Sequence, residues 1–382
     1  MVTPIFERRS TFRMKESPLI GRGARLISFA KKPPPAGRII DGEPWPPIFT
    51  PEGVRSAKAL KPRPEDIFIC TYPKCGTTWI QHIVHQLIGR TEYEQVRDNE
   101  GPGASENKSM CFVSPMIERM GADYCDTIRQ PRVLKSHFTY DNIPKGGGAK
   151  YIFAVRNPKD CLTSYYHHHR NFKIYNFCNG DFDVFFDLFM SGNVGFGEYY
   201  KHLRSWLAGM ERNDENILFL KYEDMVADLP RAIVSIGQFL GGEAAQKVTD
   251  QAILDQIVQN SSLAAMKRNQ QRWFPNKQLN NGDFIRKGGS RDWKNHLTEE
   301  QNARMDERFE MMTRDTAAAD WWREEMDWEE PQTSQKSEEQ AGLCQDGSPS
   351  DSGYSSFPSS VSSDGPSAKH SLDSTGAVFD FS

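Results

Sequence analysis

Short apolar runs alternate with helical apolar stripes through the centre of the chain. Ile67-Phe68-Ile69-Cys70 is a continuous run of the kind that a strand covered on both faces requires. Behind it, Trp79, Ile80, Ile83, Val84, Leu87 and Ile88 recur at helical spacing, so a helix is predicted there. Residues 151–155 repeat the strand signature, Val133-Leu134 falls in a shorter strand, and residues 217–220 form a fourth. Asn157-Pro158 reads as a helix cap followed by proline in the first turn. Asp228-Leu229-Pro230 opens a helix with Ile233, Ile236, Phe239 and Leu240 on one face. Strands alternating with helices predict an α/β fold, a single domain with a central parallel β-sheet flanked by helices.

This pattern occupies residues 37–328 of the 382 and sets the predicted domain. Residues 1–36 are basic and end in Lys31-Lys32-Pro33-Pro34-Pro35, which predicts a flexible extension with a stiff linker. Its arginines are also those of a mitochondrial presequence, but Glu7 and Glu16 argue against that reading. Residues 329–382 hold fifteen Ser, nine acidic and two basic side chains, and predict a disordered acidic tail. That tail more than accounts for the net charge of -4, leaving the rest of the chain mildly basic. Mild basicity fits a small anionic ligand better than nucleic acid, which calls for a larger basic stripe. No apolar run reaches the roughly eighteen residues of a membrane span, so no membrane partner is expected. Seven cysteines, an odd count without a C-x-x-C pair, predict reduced thiols, a cytoplasmic location and no zinc site.

Each apolar strand is followed by polar residues suited to chemistry: Lys74 to Thr78, then Lys135 and His137, then Arg156, then Tyr222-Glu223-Asp224. In open α/β sheets ligands bind beyond the carboxyl ends of the strands, so these stretches are expected to converge. Thr71-Tyr72-Pro73-Lys74-Cys75-Gly76-Thr77-Thr78-Trp79 places a glycine turn and a helix start behind a strand. Free backbone N–H groups and a positive helix end make that a phosphate cradle. It is not a Walker A loop, because its lysine precedes the glycine. The plain alternative is a capped helix start with an exposed lysine. His167-His168-His169 resembles a metal cluster, but consecutive helical residues diverge, so no metal is expected from it.

The loop at 71–79 resembles the 5′-phosphosulfate loop of cytosolic sulfotransferases. Residues 284–298, beginning Phe284-Ile285-Arg286-Lys287-Gly288-Gly289-Ser290-Arg291-Asp292-Trp293, resemble that family's 3′-phosphate loop. Arg156-Asn157-Pro158-Lys159-Asp160 with Ser164-Tyr165-Tyr166-His167, and Lys221-Tyr222-Glu223-Asp224-Met225, extend the likeness over roughly residues 38–328. The resemblance implies a donor, 3′-phosphoadenosine 5′-phosphosulfate (PAPS), and sulfuryl transfer to a hydroxyl or amine of a small, largely apolar acceptor. It implies a catalytic set of His137, Lys74, Lys135 and Ser164, with His137 as general base and Lys74 on the bridging oxygen. Cys75, Gly76, Thr77 and Thr78 would hold the 5′-phosphate, and Trp79 and Tyr222 the adenine. Arg156, Ser164, Arg286, Lys287 and Gly288 would hold the 3′-phosphate, and Ser261 would donate to the purine. Lysine and arginine supply the countercharge, so no metal is demanded.

The chain departs from the family pattern in four places. Cys75 stands where serine is common, and a thiol beside Lys74 and a helix start is expected to be oxidisable. Arg291 replaces a glycine, which predicts either a strained turn or an added phosphate contact. Ser261-Ser262-Leu263 replaces a Thr-Ser-Phe run and loses an aromatic face for adenine. The family's dimer motif is degenerate, with Glu299 and Ala303 in place of valine and glutamate, which leaves a homodimer open. The acceptor pocket is expected from the segments 45–49 and 273–283. Three rivals stand beside transfer: a nucleotide or small-molecule kinase, which should show Mg²⁺ ligands and a Walker lysine after the glycine, a dehydratase or lyase reaction in the same fold, and a non-catalytic nucleotide-binding protein with an interaction tail.

Overall fold

The computed structural model describes residues 32–95, 108–212, 216–275, 278–280 and 283–329. The predicted extension at 1–31, the predicted tail from 330 onward, and parts of the 273–283 segment lie outside the described residues. The chain divides into a unit Met1–Glu330, which holds every described residue, and a second unit Pro331–Ser382.

The first elements are a short antiparallel hairpin, β1 (Arg38–Ile40) and β2 (Glu43–Trp45). Asp41 and Gly42 turn it with φ of 51° and 81°, the positive pair that a tight hairpin turn favours. Four further strands form the parallel sheet: β3 (Ile67–Thr71), β4 (Val133–Ser136), β5 (Lys150–Val155) and β6 (Asn216–Lys221), in the order β4-β3-β5-β6. The principal helices are α1 (Pro51–Lys58), α2 (Thr77–Leu87), α3 (Ile117–Thr127), α4 (Pro158–Asn171), α5 (Tyr199–Arg212), α6 (Leu229–Leu240) and α7 (Glu299–Thr313). No described helix is long and apolar enough to cross a membrane.

Alternation along the strands feeds two cores. Ile67, Ile69, Ile152 and Ala154 face one way and pack with Ile80, Ile83 and Val84 of α2 and with Ile233 and Ile236 of α6. Phe68, Cys70, Tyr151 and Phe153 face the other way, where the Trp206 ring of α5 stacks on Phe153 at 4.6 Å. The unbroken apolar runs follow from this burial on both faces. Parallel register aligns the strand ends: Cys70 pairs with Ser136, Thr71 with Ala154, and Val155 with Lys221. The residues that follow each strand therefore leave the sheet along one rim.

Candidate active site

His137 follows β4 directly and is buried at 8% exposure. Its Nδ1 lies 2.7 Å from the Thr71 carbonyl oxygen at the end of β3. A carbonyl only accepts, so Nδ1 carries the proton and Nε2 keeps its lone pair. Burial, and then the charge of Lys135, push the imidazole down to about 3, so the ring is neutral in the free protein. The backbone N–H of His137 and the Ser136 hydroxyl both donate to Oε1 of Glu118, each at 2.6 Å. Glu118 sits on α3 with no exposed surface, and burial raises it to about 7 against the pull of these donors. Lys135 projects from β4 beside them, half-buried, its pKa lowered by burial. The edge of Phe196 meets the His137 ring at 4.9 Å, and Phe196 continues into Trp45 and Phe49 at 5.4 Å each. An apolar wall thus reaches the candidate base.

The loop after β3 gives Lys74 a left-handed φ of 73° and Gly76 a φ of 93°. Gly76 precedes α2 and offers no side chain to cap it, so the first N–H groups of α2 remain available to an anion. A Cβ at Gly76 would come within 3.0 Å of the Tyr222 ring, so the turn needs glycine twice over. The Thr77 hydroxyl bonds the Thr71 hydroxyl at 2.7 Å, which leads from the α2 start to the His137 anchor. Trp79 meets the Tyr222 ring edge-on at 5.7 Å. Burial, and then Arg156 and Arg286, lower the half-buried Lys74 ammonium to about 8.

Arg156, directly after β5, bridges the two sequence-distant loops. Its guanidinium donates to the Lys74 carbonyl at 3.3 Å and to the Gly289 carbonyl at 2.8 Å, and lies 4.4 Å from the Tyr222 ring centroid. Lys74 also sits 5.4 Å from the Phe284 ring centroid, a second link between the loops. Arg286 and Lys287 both donate to Asp292, at 2.5 and 2.6 Å. Burial alone would raise that carboxyl, but the bonds from Lys287 and Arg286 hold it well below the usual carboxylate range. A Cβ on Gly288 would lie 2.6 Å from a Leu263 methyl, so Leu263 packs on the loop backbone. Ser164 lies half-buried on α4, midway along the helix that Asn157 caps.

Several expectations change. Ser261 is fully buried, its hydroxyl accepts from Gln86 at 3.0 Å and its carbonyl from the Trp79 indole at 2.8 Å. Its carbonyl thus supports the Trp79 indole, and its hydroxyl is engaged by Gln86. Cys75 is fully buried with its Sγ 3.9 Å from that of Cys161, which shields the thiol expected to be oxidisable. Arg291 does adopt a left-handed φ of 66°, and its guanidinium turns to the carbonyls of Glu324, Asp327 and Glu329. Trp273 packs with Tyr93, Met110, Met266 and His82, a cluster against which Trp79 and Phe284 also lie. Glu223 accepts from Asn157 and from the Trp322 indole, a structural tie at the α4 start.

Sequence reasoning missed Glu118 and the Thr71 carbonyl. A carboxylate on an amphipathic helix looks like a solvated charge, and backbone acceptors leave no mark in composition. It also missed a cluster formed by His167, Asp292 and His296. The histidine run does diverge: His168 stacks on Phe172 and His169 on Tyr175, while His167 alone turns to His296.

With this geometry in view, the comparisons with known proteins agree. The Sulfotransferase domain model matches residues 64–326, more than half of the chain. Sulfotransferase 1C2 of Rattus norvegicus is 33% identical over 264 residues, covering 65% of this chain and 83% of the relative. Sulfotransferase 6B1 of Mus musculus is 33% identical over 288 residues, covering 73% and 86%. Among solved structures, mouse sulfotransferase SULT7A1 complexed with PAP superposes with a TM-score of 0.59 at 25% identity, covering 76% of this chain and all of that one. The chain belongs to the sulfotransferase family and is an enzyme of that class.

Proposed function

We propose that the enzyme transfers the sulfuryl group of PAPS to a hydroxyl or amine of a small, largely apolar acceptor. Arg156 carries the reading, since one guanidinium touches both loops that would grip opposite ends of the nucleotide. The residues present fit that group: an uncapped α2 start beside Lys74 for the 5′ end, and Arg286 with Lys287 for the 3′-phosphate. The relative complexed with PAP supports the same donor.

In this reading Thr77, Thr78 and the N–H groups after Gly76 orient the 5′-phosphate. Trp79 and Tyr222 flank the adenine, and Arg156 and Ser164 join Arg286, Lys287 and Gly288 at the 3′-phosphate. Lys74 neutralises charge on the leaving oxygen, and Lys135 adds a second cation beside the base. His137 takes the acceptor proton on Nε2, because Thr71 holds the proton of Nδ1 in place. A positioned base contributes about 10²–10⁴-fold. Burial holds His137 low first, with Lys135 and Lys74 adding to it, and the anionic donor would offset the part that the lysines contribute. The apolar wall of Trp45, Phe49 and Phe196 receives the acceptor. Six described cysteines are free, which fits a reducing, cytoplasmic setting.

Calorimetry with adenosine 3′,5′-bisphosphate (PAP) tests the donor, and a labelled-PAPS acceptor screen tests transfer. Lys74→Ala and His137→Ala are each expected to abolish transfer, with PAP binding retained in the second. A purified chain that ignores PAP overturns the reading, and normal turnover by His137→Ala removes the base.

A further inference from the structure

We infer that His167, His296 and Asp292 form a binding site for a divalent transition-metal ion of the zinc class, coupled to the nucleotide through Arg286 and Lys287. The coupling rests on the donor reading above, whereas the metal site does not.

The two imidazoles come from separate elements, His167 from α4 and His296 from the turn after Asp292–Asn295. Their Nε2 atoms face each other at 3.2 Å, a hydrogen bond in the free protein, so the donor ring must move its proton to Nδ1 for both Nε2 atoms to bind a metal. Tetrahedral zinc holds imidazole nitrogens at about 2.0–2.1 Å, which sets two of them roughly 3.3–3.4 Å apart. The observed pair is therefore already spaced like one edge of that tetrahedron. Asp292 supplies the third ligand, since one ligand atom from each of the three residues lies within 4.8 Å of the others. Its side chain is 9% exposed, while both histidines are partly exposed and leave an entry path. Two neutral nitrogens and one carboxylate, with a further position for water, suit zinc or cobalt better than the oxygen-seeking Mg²⁺.

Asp292 is also the acceptor for Arg286 and Lys287. In the free protein a metal ion competes with those two cations for one carboxylate. A phosphate dianion on Arg286 and Lys287 frees Asp292 and offsets the added positive charge. Metal and nucleotide must then each strengthen the other's binding by the same factor.

The test is a titration of Co²⁺, followed by displacement with Zn²⁺, into the chelator-treated full chain, with and without saturating PAP. Visible absorption free of a thiolate band is expected, with Co²⁺ affinity raised at least about five-fold by PAP. The signal is expected to vanish in His167→Ala and in His296→Ala, and also in His296→Gln, which preserves bulk; thermal unfolding checks that each variant is folded. No absorption, or absorption that survives these substitutions, overturns the site. Co²⁺ binding that PAP weakens or leaves unchanged overturns the coupling. If PAP itself fails to bind, the donor reading falls and the Co²⁺ titration alone decides the metal site.

Discussion

A lysine with φ of 73° is uncommon, because left-handed backbone costs a side-chain-bearing residue about 1–2 kcal/mol. The Lys74 turn persists because Arg156 holds its carbonyl from the neighbouring strand end. Strain kept in place by surrounding structure is common where a group must be aimed at chemistry. The same crowding sets a pH limit. Burial and the nearby arginines disfavour the ammonium, so Lys74 is charged below about 8 and loses its charge above. PAP affinity is therefore expected to hold from pH 6.5 to 7.5 and to fall as pH rises past 8, by at most about tenfold per unit. Calorimetry across that range checks it, and Lys74→Met should bind more weakly at pH 7 and lose the Lys74 contribution to the slope. A wild-type affinity that stays flat to pH 9 would show that this ammonium does not meet the anion.

At the scale of elements, Arg291 carries two opposed effects. Its left-handed backbone costs stability, while its guanidinium ties the 284–291 loop to the carbonyls of Glu324, Asp327 and Glu329, in and just after the Arg323–Met326 turn. Arg291→Gly removes both, and Arg291→Ala removes only the clamp. The alanine variant is expected to unfold at lower denaturant than wild type and about 1 kcal/mol below the glycine variant. An alanine variant as stable as the glycine variant would remove the strain from the account. The example shows what was legible. The substitution of glycine by arginine is visible in the sequence, and so is the left-handed demand of the turn. The direction of the side chain is not, because its partners are backbone carbonyls more than thirty residues away. Strands and the α2 and α4 starts were readable because local chemistry fixes them: apolar runs, Gly76, and Asn157 before Pro158. Glu118 and Ser261 were not, because burial by distant segments decides whether a carboxylate supports a histidine or a hydroxyl supports an indole.

Across the whole molecule, the site exists only while the sheet does. Lys74, His137, Arg156 and Tyr222 leave four aligned strand ends, and the loop at 284–290 reaches them through Arg156 and Lys74. An unfolded chain has no such convergence, so a nucleotide held by both loops binds the folded state alone. PAP at a hundredfold excess over its dissociation constant is then expected to stabilise the protein by about 2.7 kcal/mol, roughly 5 °C in unfolding midpoint. The two cores share every strand, so both should melt together and gain equally. Tryptophan fluorescence weights the first core, which holds Trp45, Trp206, Trp293 and Trp322, and far-ultraviolet circular dichroism follows the helices on both faces. Coincident transitions that shift together with PAP fit this architecture. A shift seen by only one probe would mean that the two cores unfold separately, and no shift at all under saturating PAP would mean that the two-loop grip has to be abandoned.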